Sequence, residues 1–142
     1  MASSIPKTYR KEITDAMAAE TLKVALFVST GWVYSATNTA HGTYTGIKSA
    51  GCTEVSATGT GYTTGGYALI TTSNYIGANN EAALFATATA VSSATFTCRY
   101  AVVYEDTGKK IRAVVDLGGD KTVTSGTMTI TWDVTNGIIK VS

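Results

Sequence analysis

The sequence predicts a mainly β protein: a single antiparallel β-sandwich or barrel-like domain with a short N-terminal amphipathic helix. Three observations lead there. The chain has 142 residues, close to the commonest size of one domain and enough to bury roughly two thirds of its unfolded surface. Its apolar spacing is helical at the start and becomes alternating beyond residue 21. Glycine-bearing turn signals then separate the alternating runs. The expected division is a helical arm over 1–20 and an antiparallel β domain over 21–142.

Taken in order, "PKTYRKEITDAMAAETL" spaces Tyr9, Ile13 and Met17 four apart, with Lys7, Arg10, Lys11 and Asp15 elsewhere around the wheel. Pro6 suits the first turn, where its missing N–H is no loss. "TLKVALFVS" starts as an alternation and turns continuously apolar, as a buried strand does. Residues 34–66 read as turn-rich, and "YALITTS" as strand. "ATFTCRYAVVYE" sets Phe96, Cys98, Tyr100, Val102 and Tyr104 against Thr95, Thr97, Arg99, Ala101 and Val103, so the first set is expected to face the core. "EDTGKK" turns, "IRAVVDL" returns, "GGDK" turns again and "TVTSGTMTITWDV" runs back, which makes a meander. "TNG" suits a tight hairpin before "IIKVS" closes the chain. Phe96, Tyr100, Val102, Val115, Met128, Ile130 and Trp132 are the expected core of this half.

Charge narrows the partners. The net charge is +1 and 44% of residues are apolar, which favours neither a nucleic-acid surface nor a disordered chain. Between Lys23 and Arg99 the only formal charges are Lys48, Glu54 and Glu81. Such a stretch either forms Thr-rich, half-exposed strands or is covered by neighbouring subunits, because interface cores are depleted in charge. The start lacks an apolar signal run, and "VALFV" is far short of the roughly 18 residues that span a bilayer, so a soluble chain made in the cytosol is expected.

No chemical constellation emerges. "GTGYTTGGYAL" places Gly59, Gly61, Gly65 and Gly66 in neither the P-loop nor the dinucleotide-binding spacing, and no lysine follows. These glycines are expected to permit positive φ and close backbone approach. His41 is the single histidine and has no nucleophile motif around it. Asp106, Asp116, Asp120 and Asp133 fall near strand ends, where carboxylates serve turns, and form no calcium loop. Cys52 and Cys98 match no zinc spacing and read as buried free thiols without a disulfide, against the alternative that Cys52, in a turn-rich region, is exposed. No catalytic, cofactor or metal residues are therefore assigned. Trp32, Tyr34, Tyr44, Tyr62 and Tyr75 are candidate contacts for a sugar or a protein partner, against the alternative of core or rim packing.

Three segments carry a resemblance: "LKVALF", then "EVSATGTGYTTGGYAL", then "ATFTCRYAVVYEDTGKKIRAVVDLGGDKTVTSGTMTITWD". In this order they resemble the small virion structural proteins of tailed bacteriophages, from about residue 9 to the C-terminus. The resemblance implies a non-enzymatic virion component without cofactor, partnered by the major capsid protein or other virion proteins, as a homo-oligomer, with no nucleic acid and no membrane. Decoration or cementing of the capsid is the first expectation. A neck, tail or fibre component and a carbohydrate-binding module are the alternatives. Lys7, Arg10 and Lys11 are the candidate contacts for an acidic capsid surface, against the alternative of a solvated helix face.

Overall fold

The computed structural model describes residues 4–76 and 81–141. Helix α1 (Lys7–Ala18) leads into β1 (Leu22–Phe27), a 3-10 turn (Thr39–His41) and a short α2 (Tyr44–Ala50). Then follow β2 (Tyr67–Ala68), β3 (Thr71–Ile76), β4 (Glu81–Ala86), β5 (Thr89–Glu105), β6 (Ile111–Ile130) and β7 (Ile139–Val141). Two antiparallel sheets result, in the orders β2-β1-β5-β6 and β3-β4-β7. The protein is thus mainly β, with a sandwich-like pair of sheets and a short N-terminal helix, as the alternation predicts. The sheets join at a corner, where the Leu69 N–H donates to Leu22 O at 2.9 Å and the Thr87 N–H to Ile70 O at 3.1 Å.

β1 is continuously apolar from Val24 to Phe27 because both of its faces are covered there. Leu22, Val24 and Leu26 point into the core between the sheets, with Leu84, Val91, Phe96 and Trp132. Ala25 and Phe27 point the other way, into a second cluster with Tyr44, Ile47, Cys52, Val102 and Tyr104. Irregular chain and α2 form this outer layer. Each fully buried Leu, Val or Phe contributes about 1.5–3 kcal/mol by leaving water.

Several expectations are corrected. β5 does not keep one set of alternating residues in the core: a register shift between Cys98 and Tyr100 moves its phase by one residue. Ala94, Phe96 and Cys98 face the inner core together with Ala101 and Val103, while Val102 and Tyr104 face the outer layer, with Tyr100 packed against it. A bulge changes phase in this way because an extra residue flips every later side chain to the other face. "GGDK" is part of the same irregularity and not a turn; β6 runs on through it, and Cys98 pairs with Lys121 while Tyr100 pairs with Asp116. The expected meander is therefore one long hairpin. "TNG" does turn the chain, but β7 pairs with β4 in the second sheet rather than with β6.

α2 was not expected, since it is short and contains Gly46. Thr43 caps it by accepting the Gly46 N–H at 3.0 Å. On α1, Met17 packs against the core and Ile13 is half-buried as the spacing predicts, but Tyr9 is 55% exposed. The buried residue is Thr14, whose hydroxyl lies 2.7 Å from that of Ser73 on β3. A polar contact to the sheet thus joins the apolar one in orienting the helix.

Of the expected core, Phe96, Val102, Ile130 and Trp132 are buried, whereas Tyr100, Val115 and Met128 are partly buried and pack against it. Cys52 and Cys98 are both buried, as the reading of buried free thiols has it. Both thiols are free and lie in clusters on opposite faces of the first sheet. Burial, with Asp120 nearby, pushes the Cys98 thiol up to about 11.

Candidate functional site

The strongest concentration of polar chemistry surrounds Glu54, whose side chain is only 4% exposed. The segment carrying it pairs with the end of β1: the Val55 N–H donates to Leu26 O at 2.9 Å and the Val28 N–H to Thr53 O at 3.0 Å. Main-chain pairing on both sides of residue 54 thus fixes where its carboxylate sits.

Four donors converge on it. Tyr62 Oη at 2.8 Å and the Gly65 N–H at 2.7 Å donate to Oε1, while Tyr44 Oη at 2.5 Å and Lys48 Nζ at 2.8 Å donate to Oε2. Two bonds to each oxygen fill the acceptor capacity of a carboxylate. Burial pushes the Glu54 carboxyl up, but the bonds from Lys48, Tyr44, Gly65 and Tyr62 outweigh it and hold the group below its usual range. Burial and the facing carboxylate push both phenols well above theirs.

The hub fastens four pieces of chain. Tyr62 Oη also accepts the Leu26 N–H at 2.9 Å, linking the glycine-rich segment to β1. Tyr104 on β5 donates to Gly65 O at 2.6 Å and stacks on Tyr44 with centroids 4.5 Å apart. The glycines make this approach possible. A Cβ on Gly66, whose φ is +78°, would stand 1.9 Å from Val24 O. The segment is therefore a close-packed clasp.

The sequence-derived candidates separate into three places. Tyr44 and Tyr62 are buried in the hub, which takes them out of the set of ready partner contacts. Trp32 and Tyr34 lie half-buried in an aromatic row on the outer layer; Trp32 stacks on Tyr100 at 3.9 Å and Tyr34 lies 5.9 Å from Trp32. His41 steadies that loop by accepting the Ser35 N–H on Nδ1 at 2.9 Å. Tyr75 is on β3, where Lys7 of α1 sits over its ring at 5.2 Å. Lys11 pairs with Asp15, and Arg10 is half-buried on the same helix.

Glu54 itself was missed among the candidates. Its signal was available, as one of three charges in a long neutral stretch flanked by Cys52 and Val55. Beside the hub runs a groove of about 480 Å³ lined by Lys48, Gly51, Thr53, Ser56, Thr58 and Thr64 among others. Among the described residues no three His, Cys, Asp or Glu side chains converge to hold a metal, and no helix is long and apolar enough to cross a membrane. No protein-family model, curated protein or solved structure matches the chain.

Proposed function

We propose that the chain is a structural protein of a tailed-bacteriophage virion, which decorates the capsid as an oligomer, clamps neighbouring major capsid subunits and catalyses nothing. The resemblance of the three quoted segments supports this reading. The observation that carries it is the neutrality of the surface between Lys23 and Arg99. Each of the three charges in that stretch has an opposite partner: Lys48 with Glu54 at 2.8 Å, and Glu81 with Lys140 at 3.3 Å. The groove beside the hub is lined by Thr53, Ser56, Thr58 and Thr64 together with the paired Lys48 and Glu54. A surface with few charges, each already paired, leaves little to desolvate and suits a contact that is buried when a lattice forms.

The contact need not be large. About 800 Å² per partner makes a specific interface, and repetition over a lattice multiplies modest affinities. The Glu54 clasp would keep the groove-bearing segment in one shape before assembly, which reduces the ordering that binding must bring about. A saturated carboxylate is suited to this role and poorly suited to acid–base work, since a general base needs a lone pair free for its substrate.

Quantitative mass spectrometry of purified virions, with an electron cryomicroscopy map of the particle, tests the reading. Hundreds of copies distributed over the head are expected. A single ring of copies at the neck or tail would contradict decoration and make the chain an adaptor there.

A further inference from the structure

The turn between β6 and β7 carries Asn136 followed by Gly137, and Asp133 is bonded to both. Asp133 Oδ1 accepts the Thr135 N–H at 2.7 Å and the Asn136 N–H at 2.9 Å, while Oδ2 accepts the Asn136 amide group, Nδ2, at 3.0 Å. The Gly137 N–H is bonded to Asp133 O at 3.1 Å. Just beyond, the Ile138 N–H donates to Leu84 O at 2.7 Å, and β7 joins β4 through Leu84–Ile139, Ala83–Lys140 and Ala82–Val141. The docking of β7 therefore depends on where this turn ends.

An asparagine before a glycine is open to attack by the next main-chain nitrogen, because glycine has no Cβ to obstruct the approach. In this turn both reacting groups are occupied, the nitrogen by Asp133 O and the amide by Asp133 Oδ2. We propose that Asn136–Gly137 is a self-modification site held in check by Asp133, and that its reaction permanently releases β7. When the turn opens, Gly137 N attacks Asn136 Cγ. The N–Cγ bond forms, the Cγ–Nδ2 bond breaks, and ammonia leaves with the proton from Gly137 N. Water then adds to one carbonyl of the cyclic imide and opens it to aspartate or isoaspartate.

Neither product rebuilds the turn. Both replace the Nδ2 donor with a carboxylate that faces Asp133. Isoaspartate also adds one main-chain carbon immediately before Gly137, where space is short: a Cβ on Gly137 would stand 2.5 Å from Leu84 O. The inference concerns the isolated chain and does not depend on the virion reading.

The test follows the amide-to-acid mass change at residue 136 by peptide mapping. Folded protein, the same protein in denaturant and the Asp133→Ala variant are incubated in one neutral buffer. The folded protein is expected to react at least about tenfold more slowly than the denatured chain, with the variant between them, because reaction requires local opening. Hydrogen exchange at 139–141 is expected to be faster in modified molecules than in unmodified ones. Equal rates in folded and denatured protein would overturn the guarding role whether or not the variant folds. A variant reacting no faster than the folded parent, or unchanged protection of β7 after modification, would likewise overturn the proposal.

Discussion

On its inner face the first sheet meets the second through Leu22, Val24, Leu26, Leu84, Val91 and Trp132, an apolar packing built from regular strands. On its outer face the same β1 and β5 meet α2 and irregular chain through Phe27, Tyr44, Ile47 and Tyr104, and one buried carboxylate ties that layer, through Tyr44, to Tyr62 of the inner cluster. The inner contact is set by area removed from water and tolerates small adjustments. The outer one depends on directed bonds, where one missing acceptor leaves several buried donors unpaired. The two layers should therefore fail differently.

The largest expected effect is on the inner face. Trp132 is 8% exposed, and truncation to Ala is expected to cost about 3–5 kcal/mol, read as an earlier midpoint in denaturant unfolding. An unchanged midpoint would place Trp132 outside the core.

Next comes Glu54→Gln, which keeps the shape but sets an amide NH2 against donors and leaves Lys48 without its counter-charge. A loss of about 2–3 kcal/mol is expected. The pH dependence has a definite sign. The folded protein holds this carboxyl below its usual range, so its contribution is present above the unfolded value of 4.5 and is lost as pH falls through the lower folded value. Asp15, Glu105, Asp106, Asp116 and Asp133 are lowered too and share that direction. The difference between parent and Glu54→Gln isolates the hub: the stability gap should narrow between about pH 4.5 and acid.

Smaller again is Tyr104→Phe, which removes only the bond to Gly65 O and is expected to cost about 0.5–1.5 kcal/mol in thermal unfolding. Least of all, reversing charge at Lys11 is expected to change stability by under about 1 kcal/mol, since it loses only a solvent-facing pair with Asp15. If α1 faces the capsid, the same change lowers particle occupancy in a salt-dependent way.

The same contrast explains what could be read from the sequence. Regular strands announce themselves by alternation or by a short apolar run, so β5, β1 and the tip of the long hairpin were legible, as was the glycine-rich approach at Gly66. Bulges are less so. The shift at Cys98–Tyr100 depends on how Gly118 and Gly119 sit opposite Arg99, a long-range pairing that local periodicity does not contain. α2 and the Glu54 hub were hidden for a related reason. Tyr44, the Tyr62–Gly65 segment and Tyr104 come from separate parts of the chain, and only the fold makes them neighbours. Asp133, by contrast, serves a turn as its position suggested, because its partners are within four residues.

The most direct test is amide hydrogen exchange on Glu54→Gln beside the parent protein. If one carboxylate holds the outer layer, protection should fall across 42–66 while the amides of β1 and β5 paired within the first sheet keep most of theirs. Equal loss of protection in both layers, or no loss over 42–66, would contradict the account.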